Sequence, residues 1–196
     1  MSDISINNVS KSFEEKKVLD NFSAILPSKG KTVIMGESGG GKTTLINILM
    51  GFDNAYDGSI DNRPKRFSAV FQDDCLSEDF SAISNLRAVV GKTVSRDELS
   101  RHLLAMGLKP EDIIKPVRTL SGGMKRRVAI ARALVAESDY VIMDEPFKGL
   151  DEELRDSVIK LILNDTNEKG RGLLIITHDP DEAAMIAPDK LIFMGK

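Results

Sequence analysis

The eight residues from Gly36 to Thr43, Gly-Glu-Ser-Gly-Gly-Gly-Lys-Thr, limit the possible folds of this chain more than any other stretch. Lys31 to Met35 (KTVIM) precedes them as a short, mostly apolar run of strand length. Lys42 to Met50 follows with helical spacing and closes at Gly51. Glycines between a strand and a helix let successive backbone N–H groups face one point, and the helix N-terminus adds positive potential there. The pattern G-x-x-x-x-G-K-[ST] in that setting cradles phosphates, with Lys42 reaching the β/γ-phosphates and the Thr43 hydroxyl meeting Mg²⁺. A flexible glycine turn ahead of a lysine needs neither the strand before it nor the helix after it. The candidate nucleotide contacts are therefore Gly36, Ser38, Gly39, Gly40, Gly41, Lys42, Thr43 and Thr44.

The same alternation continues along the chain. Strand-like runs lie at Arg66 to Phe71, Asp139 to Met143, Leu173 to Thr177 and Leu191 to Met194, separated by helical patterns. Ser95 with Glu98 forms a capping box ahead of Leu99, Leu103 and Met106, and Asp179-Pro180 opens a last helix. Ile4 to Asn8 and Val18 to Leu26 alternate as an antiparallel hairpin would. Asp73 to about Lys115 breaks the rhythm with helical patterns only. The expected fold is α/β: a phosphate-loop NTPase core, mostly parallel sheet with an antiparallel N-terminal β portion, plus a small helical subdomain. It would be one domain over residues 1–196, the core approximately 1–72 and 137–196 and the helical subdomain approximately 73–136.

Composition excludes several classes. Lys+Arg 27 against Asp+Glu 30 gives a net charge of -3, without the basic excess of a dedicated nucleic-acid binder. No apolar run approaches the roughly 18 residues of a membrane span, and no signal pattern opens the chain. One cysteine, Cys75, excludes an intramolecular disulfide and suits a reducing compartment. A cytoplasmic protein is expected.

In a parallel sheet, ligands bind at the carboxyl ends of the strands. Asp144 and Glu145 follow the run Tyr140 to Met143, so the first can serve Mg²⁺ and the second can activate water as general base. That pair favours hydrolysis over binding alone. Gln72 and His178 follow two other strands at the same edge; Gln72 could ligate Mg²⁺ or orient water, and His178 could bond the γ-phosphate. Leu120 to Arg127 (LSGGMKRR) is stranger. Ser121 is a good N-cap, but Gly122 and Gly123 weaken the helix start, and three cations then oppose its dipole. Local stability does not explain them; an external anion would. Two copies about a two-fold axis could each complete the other's site with this second helix end.

Together these residues resemble the ATP-binding cassette ATPases, the motor subunits of ABC transporters. Gly36 to Thr43 resembles Walker A, Gln72 the Q-loop, Leu120 to Met124 the LSGGQ signature, and Tyr140 to Glu145 Walker B with its catalytic glutamate. Gly149-Leu150-Asp151 resembles the D-loop and His178 the switch histidine, while Phe13 stands where the family stacks an aromatic on adenine, although as a bare sequence feature it fits a core equally well. The resemblance implies Mg·ATP bound by a homodimer that forms on ATP binding, with Ser121, Gly122, Gly123 and Asp151 acting across the interface. Glu145, His178, Gln72 and Lys42 would be the catalytic set, and Thr43, Gln72 and Asp144 the metal set. It also implies a separate transmembrane permease, an extracytoplasmic solute-binding protein, no nucleic acid, and a place on the inner face of the cell membrane.

Met124 replaces the signature glutamine, and Gly149 a more usual small polar residue or alanine. The chain ends after the Leu191 to Met194 run, so the C-terminal helices of many relatives are expected to be absent. LSGGM with KRRVAIARAL, DEPFKGLD and THDPDEA is similar to importer subunits for nitrate, sulfonates and taurine. Two alternatives stay open: a non-transport ABC ATPase and a regulatory module that binds nucleotide without turnover.

Overall fold

The computed structural model describes residues 2–14, 16–37 and 39–195. Two sheets stand over one another. Strands β1 (Ile4–Phe13) and β2 (Lys16–Leu26) pair antiparallel from Ile4↔Leu26 to Phe13↔Lys16. The parallel sheet contains β3 (Lys31–Met35), β5 (Phe67–Val70), β6 (Tyr140–Asp144), β7 (Gly172–Ile176) and β8 (Lys190–Phe193), in the order β5-β6-β7-β3-β8. Between them in sequence, β4 (Asp57–Asp61) pairs with the free edge of β1, giving the antiparallel order β2-β1-β4.

That fourth strand is a departure from the sequence reading. Its residues, Asp-Gly-Ser-Ile-Asp, are almost all exposed, and only Ile60 packs against the core. An edge strand held by backbone pairing carries no apolar alternation to announce it. β1 likewise runs five residues past Asn8. Asn8 has φ 48, and the pairing with β2 shifts register between Ile6 and Val9, so the two-residue rhythm breaks there.

The parallel strands carry out the layering. On β6, Val141 and Met143 join one core cluster while Tyr140 and Ile142 join the other; on β7, Leu173 and Ile175 split likewise from Leu174 and Ile176. This period of two makes both faces of the central strands apolar, so both must be covered. Helix α1 (Lys42–Leu49) and the antiparallel sheet cover one face through Leu45, Ile46, Ile4 and Leu26. On the other lie α4 (Gly122–Val135), α5 (Glu152–Glu168) and α6 (Pro180–Ile186). Helices α2 (Ala82–Val90) and α3 (Arg96–Ala105) extend that second core with Leu86, Leu99 and Leu103, packed on α4.

Starts of these helices follow the capping rules. Ser95 accepts from the Glu98 N–H at 3.1 Å, Ser121 from Met124 at 3.3 Å, and Asp151 from Leu154 at 3.0 Å. Strands β5, β6, β7 and β3 are neighbours, so the loops leaving their carboxyl ends converge on one rim. No described helix is long and apolar enough to cross a membrane.

Candidate functional site

A cavity of about 440 Å³ opens on that rim, between the glycine loop and the antiparallel sheet. Gly39, Gly41, Lys42, Thr43 and Thr44 form its floor, Gln72, Asp144 and Glu145 one wall, and Phe13, Lys16 and Val18 the other. The chain reaches this shape through Gly41, which has φ 85 immediately before α1. A Cβ there would stand 2.8 Å from the Val18 carbonyl oxygen, so only glycine lets the loop pass under β2. Gly36 and Gly40 belong to the same turn, where Gly40 N–H donates to Glu37 O at 3.2 Å. Ser38 lies outside the described residues.

Lys42 folds over the loop, its Nζ donating to the carbonyls of Gly36 at 2.8 Å and Glu37 at 2.7 Å. Next along α1, Thr43 Oγ1 donates to Asp144 Oδ2 at 3.3 Å, joining residues 101 positions apart. Asp144 is 2% exposed. Burial raises its carboxyl above the usual range, and the Thr43 hydrogen bond draws it part of the way back. Neighbouring Glu145 pushes it up again, while Lys42 and Arg126 pull it down.

Glu145 leaves β6 with φ 48, a left-handed backbone that side chains rarely adopt. Its N–H donates to Ile176 O on β7 at 2.9 Å, which holds the turn closed. One carboxylate oxygen lies 3.3 Å from His178 Nδ1 and the other 3.9 Å from Lys148 Nζ. His178 itself projects from the end of β7 with its side chain 72% exposed. A backbone conformation of this kind at a strand end, with a carboxylate beside a second acid, is the strain expected of a functional position.

Phe13 is 50% exposed on the cavity rim, with Lys11 Nζ 5.0 Å from its ring centroid. An exposed aromatic face beside a phosphate loop is available for stacking on a flat ring.

Other residues singled out in the sequence lie elsewhere on the chain. Ser121 and Gly122 are exposed, and Gly123 stands so close to Gly149 that a Cβ would meet its carbonyl oxygen at 3.0 Å. Asp151 caps α5. None of the four lines the cavity of its own chain.

The cations after Ser121 correct the sequence reading. Rather than awaiting an external anion, each has a partner within the chain. Lys125 pairs with Glu78 at 2.7 Å, and Arg127 donates to Gly123 O at 3.2 Å and Met106 O at 2.8 Å. Arg126 donates to the carbonyls of Phe71 and Gln72. Sequence reasoning missed Arg126, Lys16, Val18 and Lys148 as neighbours of the site; only the unexplained cations of α4 gave any signal.

The cavity thus offers a cation, a hydroxyl, a buried carboxylate, an amide and a second carboxylate within one opening. That set can neutralise a polyphosphate and orient water against it.

Comparison with known proteins bears on this arrangement. The family described as ABC transporter matches residues 19–148. The taurine import ATP-binding protein TauB of Pseudomonas aeruginosa is 35% identical, over 100% of this chain and 80% of the relative. The aliphatic sulfonates import ATP-binding protein SsuB 1 of Paracoccus denitrificans is 33% identical, over 96% and 78%. Among solved structures, the dimeric structure of MJ0796, a bacterial ABC transporter cassette, superposes with a TM-score of 0.87 at 25% identity, over 98% of this chain and 94% of that one. A second structure of the same cassette, in a post-hydrolysis state bound to ADP and Pi, reaches 0.85.

Proposed function

This chain belongs to the ABC transporter family, and from that premise we propose that it hydrolyses ATP to energise uptake of a small solute, such as nitrate, a sulfonate or taurine, through a separate permease. The observation that carries the reading is the meeting of Lys42, Thr43, Asp144 and Glu145 in one cavity, with Thr43 3.3 Å from Asp144.

ATP would lie with its adenine on Phe13 and its phosphates along the glycine loop, Lys42 turning from the loop carbonyls to the β/γ-phosphates. Glu145 takes a proton from the attacking water, and His178, 3.3 Å from that carboxylate, holds the γ-phosphate. Thr43, Asp144 and Gln72 form a hydroxyl, carboxylate and amide set of the kind that suits Mg²⁺, which takes one or two protein carboxylates with substrate phosphates. Bound there, the ion would neutralise phosphate charge.

Ser121, Gly122 and Gly123 of one copy would close over the phosphates held by the other, with Asp151 communicating across the join. The exposure of Ser121, Gly122 and Asp151, and the absence of all four residues from the lining of their own chain's cavity, support that in-trans role, as does the dimeric form of the solved cassette. The core, approximately residues 1–72 and 137–196, would carry the nucleotide and the helical part, approximately 73–136, would meet the permease on the cytoplasmic face. An extracytoplasmic solute-binding protein would complete the importer.

Phosphate release by the purified chain, followed by ATP-driven taurine or sulfonate uptake in proteoliposomes that also hold the permease and are supplied with the solute-binding protein, tests the reading. Turnover without any uptake would retain the ATPase and remove the importer.

A further inference from the structure

Arg126 has no counterpart among the roles assigned above, yet it is 7% exposed on the first turns of α4. One arm of its guanidinium donates to Gln72 O at 2.6 Å and the other to Phe71 O. The second arm also lies 3.2 Å from the Asp74 carboxylate. Six residues on, Arg132 donates to Asp74 O at 2.9 Å and to Cys75 O. Phe71 to Cys75 lies beyond β5, and Cys75 takes a left-handed backbone with φ 48. Carbonyls there have no strand ladder to join and take their partners from α4 instead.

We propose that Arg126 is a positioning residue for ATP hydrolysis: its fork ties the Gln72 backbone to the helix that begins at Ser121, so Gln72 is presented to the nucleotide cavity in register with that helix. This rests on the reading of Gln72 as part of the nucleotide site. Charge alone does not suffice for such a tie. Arginine's planar fork sets two donors on the carbonyls of consecutive residues in one fixed orientation, whereas a lysine ammonium, even where it reaches two carbonyls as Lys42 does, swings on a flexible stem. The Asp74 carboxyl supplies the counter-charge; burial raises it, and Arg126, Arg132 and Lys125 pull it back.

Because Arg126 does not line the cavity, its loss should spare nucleotide affinity and harm turnover. The test is a kinetic comparison of R126M, R126K, Q72A and the Q72A/R126M double variant, with equilibrium ATP binding and circular dichroism on each. Residues that orient a ligand typically change activity by about 10- to 100-fold. R126M should lower kcat by that amount, leave KM and ATP affinity within about threefold, and raise the Mg²⁺ concentration for half-maximal turnover. R126K should fall between R126M and wild type. In the Q72A background R126M should add little, the non-additivity of two residues acting as one unit.

A folded R126M with wild-type kcat and Mg²⁺ dependence overturns the proposal. So does a loss that merely tracks the unfolded fraction, or one that multiplies fully with Q72A. Should R126M not fold, R126K and Q72A/R126K decide by the same criteria. Wild-type protein that released no phosphate would instead remove the ATPase reading itself.

Discussion

Lys42 is the one cation of the glycine loop, and its ammonium already sits 2.7–2.8 Å from two loop carbonyls. K42A removes a charge-assisted partner of the β/γ-phosphates, which contributes about 1.5–3 kcal/mol, so ATP affinity should fall about tenfold or more. Equilibrium binding of labelled ATP measures it, and unchanged binding would refute the loop assignment. Asp144 gives a prediction of opposite kind. Its raised carboxyl means that the fold binds a proton more readily than the unfolded chain, so stability falls as pH rises from the ordinary carboxylate range through the raised value. D144N removes that buried charge and keeps an oxygen for the Thr43 hydroxyl. Its unfolding midpoint should exceed wild type at pH 7 and converge with it below the ordinary carboxylate range, while Mg·ATP binding weakens. These side chains were legible because Asp144 ends a strand and Lys42 opens a helix behind the glycine loop, where local pattern places each. Arg126 was not, since its acceptors lie 54 and 55 positions earlier and no local spacing links them.

At the scale of elements, the parallel strands and their helices were legible from apolar runs and caps, and β4 was not. A strand whose faces are exposed is specified by its neighbour's backbone, and β4 is held by pairs such as Ile6↔Ile60. One strand contact that constrains substitution is also invisible locally. Tyr140 on β6 faces Gly172 on β7 in register, and a Cβ at Gly172 would stand 2.1 Å from the Tyr140 ring. Tyr140 is fully buried, so neither strand has room to yield. G172A should therefore destabilise the chain by about 1–3 kcal/mol, the usual cost of overpacking a core. Urea unfolding measures it; a wild-type midpoint would show that the sheet relaxes freely there.

For the whole molecule, the decisive feature is that the cavity and the Ser121 helix start lie on separate parts of one chain. Ser121 is exposed and Gly122 has open space around it, so S121R should leave the monomer folded and able to bind ATP. The added side chain would occupy the facing phosphate site and block ATP-driven pairing. Light scattering in a hydrolysis-deficient background follows this, and pairing by S121R would remove the in-trans role. The most direct measurement combines pairing and chemistry in E145Q. The change keeps Lys42, Thr43 and Asp144 and removes the carboxylate that takes water's proton, a loss typically of about 10²- to 10⁴-fold in rate. It also removes a negative charge beside the γ-phosphate and so favours the closed pair. E145Q mixed with Mg·ATP should give a stable ATP-bound dimer with phosphate release down by that factor. Turnover within a few-fold of wild type would contradict the account, and His178, 3.3 Å from Glu145, would be the first residue to test as the base in its place.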